Sequence, residues 1–142
     1  MFFERHPLHF QCTQCGRCCI GADDAHVFLS DREREAVRRY LDVSRAWFRR
    51  RYLRRLEDGS RVIASGPGGR CTFLGRDGRC RIYPVRPVQC RTYPFWPEVV
   101  ATRTAWEREA GRCEGIGRGA AVPLERIRAQ LRRQRASEAG LD

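Results

Sequence analysis

The chain has no lysine: all 28 of its basic residues are arginine, set against 17 acidic ones, for a formal charge of +11 over 142 residues. It also has no long hydrophobic run. The opening "MFFERHPLHFQC" is interrupted by Glu4, Arg5, two histidines and Pro7, which excludes a secretory signal there, and no later segment reaches membrane-spanning length. A cytoplasmic location without membrane attachment is the expectation. No glycine-rich dinucleotide fingerprint follows a convincing strand, no nucleophile stands out, and neither an internal repeat nor a long linker divides the chain. One domain over residues 1–142 is expected, small enough to need help from disulfides or metal.

What the chain does have is cysteine. Cys12, Cys15, Cys18 and Cys19 crowd into "FQCTQCGRCCIG", and Cys71, Cys80, Cys90 and Cys113 follow. In a reducing compartment, clustered thiols are more often metal ligands or redox groups than structural disulfides. Two-residue gaps let a tight turn aim both thiolates at one centre, as in zinc sites and in iron-sulfur ligation. A helix over 12–19 would put these four cysteines on one face; in an extended chain Cys18 and Cys19 would point apart. Either way, four ligands from so short a stretch can hardly enclose a tetrahedral ion, so distant cysteines must complete the shell.

Eight thiolates suit two four-thiolate sites, one cluster with spare cysteines, or a polynuclear centre with bridging sulfurs. An all-sulfur shell selects zinc, iron or an iron-sulfur cluster over hard cations without choosing among them. Arg17, Arg70, Arg79, Arg81, Arg91 and Arg112 each sit directly beside a cysteine, where they can offset thiolate charge. His6, His9, His26 and the pair Asp23, Asp24 are further candidate ligands, His26 foremost.

Around these cysteines the pattern predicts an α+β fold: helices packed on a turn-rich, short-stranded, metal-centred middle. "SDRE" at Ser30 has the capping-box form and predicts a helix running to about Leu56, with Val37, Tyr40, Leu41, Trp47, Phe48, Leu53 and Leu56 along its apolar stripe. "CTFLGRDGRCRIYP" predicts two short strands about a Gly/Asp-Gly turn, a hairpin carrying Cys71 and Cys80. Pro84, Pro87, Pro94 and Pro97 exclude a regular helix or central strand throughout that stretch. "GRCEGIGRG" reads as a loop, and Pro123 opens a helix over about 123–135 with Leu124, Ile127 and Leu131 on one face. Trp47, Phe48, Tyr52, Phe95 and Trp96 are expected in the core. The run "RRRYLRRLEDGSR" is expected to be a solvated face, with phosphate-backbone contact as the alternative.

Three segments in order, "FQCTQCGRCC", "CTFLGRDGRCRIYPVRPVQCRTYPF" and "GRCEGIGRG", spanning roughly residues 10–119, resemble the CxxCxxCC (YkgJ-type) cysteine-cluster family, described as chelating zinc or iron. The resemblance implies metal chelation by Cys12, Cys15, Cys18, Cys19, Cys71, Cys80, Cys90 and Cys113. Some longer relatives, such as flagellin lysine methylases, join a similar cluster to additional sequence, and their methyl transfer is not implied here. The first reading is a metal-binding protein that loses most of its structure without metal. A second is an iron-dependent or iron-sulfur enzyme modifying a protein or peptide, with an open coordination position reached by Asp23, Asp24 or His26. A third is an arginine-rich zinc module that binds nucleic acid.

Overall fold

The computed structural model describes residues 1–20 and 26–140. In chain order it holds α1 (Phe2–Arg5), β1 (His9–Phe10), a 3-10 turn at Arg17–Cys19, α2 (Asp31–Leu41), α3 (Arg45–Tyr52), β2 (Leu53–Arg55) and β3 (Arg61–Ile63). After the cysteine-bearing turns come α4 (Val88–Thr92), α5 (Pro97–Val100), α6 (Arg103–Ala110), β4 (Ile116–Ala121) and α7 (Leu124–Glu138). β1 pairs with β4 and β2 with β3, both antiparallel. The fold is α+β, and among the described residues no helix is long and apolar enough to cross a membrane.

The helix expected from Ser30 to Leu56 is in fact two. Its start is as predicted: Ser30 Oγ accepts from Glu33 N at 3.1 Å, and Glu33 Oε1 accepts from Ser30 N at 3.0 Å. It ends at Asp42, a left-handed cap with φ 55°. Ser44 then begins α3, its Oγ accepting from Trp47 N at 3.1 Å. The break breaks the stripe as well. Val37, Phe48 and Tyr52 are buried, whereas Tyr40 and Trp47 stay 50% and 49% exposed. Leu53 leaves the helix altogether and pairs with Ile63 in the β2–β3 ladder.

"GIGRG" is likewise a strand rather than a loop. Glycine weakens a strand on its own, but here β1 supplies the partner that holds it. α7 starts one residue after Pro123 and continues past Arg135 to Glu138.

Burial is organised in two apolar clusters. The first joins Phe3, Leu8, Phe95, Val99, Val100, Trp106, Ile127 and Leu131, and so closes the N-terminus against α5, α6 and α7. The second joins Val37, Phe48, Tyr52, Ile63, Phe73 and Ile82, with Cys71 and Cys80 packed at its edge. α4 ties the two together. At its first residue, Val88 N donates to Glu33 Oε2 on α2 at 2.6 Å; at its last, Thr92 Oγ1 donates to the buried Gln134 on α7 at 2.8 Å. Both ends of the short helix that carries Cys90 are therefore fixed from outside it.

Candidate metal centre

Three local pairings carry the cysteines toward one place. Phe10 faces Ile116 across the β1–β4 ladder, and Gln11 N donates to the Gly115 carbonyl at 3.0 Å. Because the ladder is antiparallel, the chain leaving Phe10 runs beside the chain approaching Ile116, and Thr13 Oγ1 donates to Glu114 Oε1 at 2.6 Å, which draws the segments of Cys12 and Cys113 together. Ile20 bridges Arg70 in the same sense, and Cys71 N donates to the Cys19 carbonyl at 2.7 Å. The hairpin expected around Cys71 and Cys80 is reduced to a knuckle without strands: Leu74 bridges Cys80, and Arg81 N donates to the Phe73 carbonyl at 2.7 Å. With Cys90 arriving on α4, all eight cysteines line one cavity of about 400 Å³.

The N-terminal stretch is neither helical nor extended. Gln14 and Gly16 take left-handed φ values of 56° and 79°, and the 3-10 turn that follows lets adjacent Cys18 and Cys19 both reach the cavity. Gly16 does more than turn. A Cβ there would collide with the Gly78 carbonyl oxygen and come within 2.9 Å of Leu74 Cδ1. Its bare backbone is what allows the four-cysteine loop to press against the 71–80 knuckle.

Several thiols are aimed by the backbone. Gln14 N donates to Cys12 Sγ at 3.4 Å and Phe73 N to Cys71 Sγ at 3.5 Å. The Ile82 and Gly115 amides act the same way on Cys80 and Cys113, each two residues on from its cysteine. Amide donors favour the thiolate and fix the sulfur's direction before any ion arrives. The Cys19 thiol beside Cys18 and Cys80 favours their thiolate forms, lowering each to about 7, and is itself held far up. Burial raises Cys71, Cys90 and Cys113. Such mixed proton affinities describe a set of thiols whose protons a cation would displace.

The cationic side chains around the sulfurs are not the ones adjacency suggested. Of the six arginines beside cysteines, only Arg91 and Arg112 line the cavity, joined by Arg86, four residues from Cys90. Arg86 lies over the Tyr83 ring at 3.7 Å and donates from Nε to the Tyr83 carbonyl at 2.9 Å. Its charge favours the thiolate forms of Cys18, Cys80 and Cys90. Among the described residues no carboxylate pairs with it. Arg91 is held by the Arg86 and Pro84 carbonyls at 2.7 and 2.9 Å, and Arg112 by the Ile20 carbonyl at 2.8 Å.

Of the histidines, only His26 lines the cavity, with Nδ1 3.3 Å from Arg54 Nη2 and its carbonyl accepting from Gln89 Nε2 at 2.9 Å. His9 Nδ1 sits 3.0 Å from the Gly119 carbonyl, tying β1 to β4, and His6 rests against Phe2. Neither lines the cavity. Asp23 and Asp24 lie outside the described residues.

All eight thiols are free. Among the described residues, no three Cys, His, Asp or Glu side chains already stand in ligating geometry, so the donors surround a space rather than close on a point. The chemistry of the set nonetheless fits a soft or borderline cation: among the described residues, eight sulfurs, one imidazole and no carboxylate line the cavity.

These features define an α+β domain built around a thiol-lined hollow. The chain belongs to the CxxCxxCC family, described as "Putative zinc- or iron-chelating domain", whose model matches residues 11–114. No solved structure matches the chain.

Proposed function

We propose that Cys12, Cys15, Cys18, Cys19, Cys71, Cys80, Cys90 and Cys113 together chelate zinc or iron, an iron-sulfur cluster included, as one polynuclear centre. The observation that carries this reading is the lining of a single cavity by all eight cysteines, with no carboxylate among the described residues that line it. Two separate four-thiolate sites would need the sulfurs divided. Instead Cys71 and Cys90 both lie near enough to Cys18 and Cys80 to feel their charge. Arg86, Arg91 and Arg112 hold positive charge at the wall and so reduce the cost of gathering thiolates. The metal, when bound, supplies cross-linking free energy and, as iron, one-electron chemistry.

A second reading, an iron-dependent or iron-sulfur enzyme acting on a protein or peptide, is favoured by the extension of the cavity along Phe10, Tyr93 and Trp96, where a guest side chain would find an apolar wall. One experiment serves both. The full chain, purified anaerobically, is analysed for metal and its absorption spectrum recorded. More than one zinc or iron per chain is expected. Colourless zinc protein removes the enzyme reading, and a chain with no transition metal removes both.

A further inference from the structure

Beside Cys71, where the chain turns away from the thiols, lies a second cavity of about 300 Å³. Arg51, from α3, and Arg70 line it together with Ser65 and Thr72, and among the described residues no acidic one does. Its rim is fixed: Gly66 N donates to the Arg70 carbonyl at 2.7 Å, and Ser65 bridges Cys71. Arg70 gives one Nη to the Gly75 carbonyl at 2.8 Å, while the Arg51 guanidinium stands 5.5 Å from the Tyr52 ring. Among the described residues neither arginine meets a carboxylate. Two guanidinium groups and two hydroxyls around one hollow, with no counter-charge, are the donor set that a phosphate group satisfies.

The surroundings say what kind of phosphate. Trp47 precedes Arg51 by four residues on α3, so the two share a helix face about 6 Å apart along the axis. That separation is of the order of the distance between a nucleotide's phosphate and its base. Trp47 is half exposed although its neighbour Phe48 is buried. Arg50, Arg54 and Arg55 are exposed along the same segment, extending the positive surface beyond one anion. A phosphorylated side chain would use the hollow alone; a strand of nucleic acid would use the hollow, the indole and the further arginines.

We propose that this face binds single-stranded nucleic acid, seating a backbone phosphate between Arg51 and Arg70 against the Ser65 and Thr72 hydroxyls and stacking a base on Trp47. The site adjoins the thiol-lined cavity, with which it shares Ser65 and Cys71, but the metal reading requires none of these four donors or the indole.

The test measures fluorescence anisotropy of a labelled single-stranded RNA and the matching DNA of mixed sequence, with the full chain, across a salt series. Replacing Arg51→Gln and Arg70→Gln together is expected to weaken binding at least about tenfold and to flatten the dependence of log K on log salt by about one unit or more. Trp47→Ala is expected to cost about fivefold to a hundredfold with the salt slope unchanged. Arg132→Gln with Arg133→Gln, two exposed positions on α7, removes the same charge elsewhere and is expected to do much less. Arg51→Lys with Arg70→Lys should restore the salt slope, which separates lost charge from lost folding. Equal losses in the two glutamine pairs would overturn the site in favour of diffuse attraction. Indifference to Trp47→Ala, or equal competition by a phosphopeptide, would overturn nucleic acid as the ligand.

Discussion

In the cluster formed by α1, α5, α6 and α7, Phe95 stacks on Trp106 at 6.1 Å, Phe10 meets Phe95 edge-on at 5.7 Å, and no cysteine packs against the group. In the cluster beneath α2 and α3, Tyr52 stacks on Phe73 at 4.9 Å, but the packing then stops at Cys71 and Cys80 and opens into the thiol-lined cavity. The first contains no thiol, although Phe10 and Trp96 at its edge also line the cavity. The second is finished on one side by sulfur, and sulfur there is useful to the fold only if something draws the thiols together. Most of the metal's contribution to stability should therefore fall on one half of the molecule.

Metal removal is the largest perturbation and breaks the symmetry between the halves. Chelation under reducing conditions should abolish hydrogen-exchange protection over residues 48–52, 62–63 and 71–82 while leaving 97–110 and 124–134 measurably protected. Uniform loss, or none, would mean that the two halves do not differ as described.

Leu131→Ala is the converse probe. Leu131 is 2% exposed, and truncating it should cost about 2–5 kcal/mol in urea unfolding of the metal-loaded chain. Because the cut lies in the thiol-free cluster, metal stoichiometry should not change. Metal loss in step with unfolding of this half would show that the clusters are inseparable.

Gly16→Ala should be smaller in stability, on the order of 1–3 kcal/mol for a side chain at φ 79° facing the Gly78 carbonyl. It should nevertheless reduce metal affinity in a chelator competition although it removes no ligand, because it separates the four-cysteine loop from the knuckle. Unchanged affinity would show that the loop is not seated through this contact.

How much of this was legible beforehand depends on how local each feature is. The Ser30 cap, the α7 start after Pro123 and the reversal between Cys71 and Cys80 are written in neighbouring residues, and they were readable. The break at Asp42 was readable too, from Ser44 as a second cap, but the seven-residue recurrence of Tyr40 with Trp47 and of Leu41 with Phe48 suggested continuity and hid it. α6 also had its signal: Thr102 Oγ1 accepts from Ala105 N at 3.1 Å. β4 could not be read from "GIGRG", because the strand it pairs with lies more than a hundred residues earlier. In the centre, the cysteines themselves were conspicuous, whereas Arg86 was not. Adjacency in sequence picks arginines such as Arg79 and Arg81, which flank Cys80 yet stay exposed outside the cavity. The cation that reaches the sulfurs comes from a turn beside Tyr83, and only folding brings it there.

The most direct measurement is X-ray absorption at the zinc and iron edges on the anaerobically purified full chain. A first shell of sulfur alone, at about 2.3 Å if the metal is zinc, is the predicted result. A shell dominated by oxygen or nitrogen, or thiols found oxidised in pairs with no metal present, would contradict it.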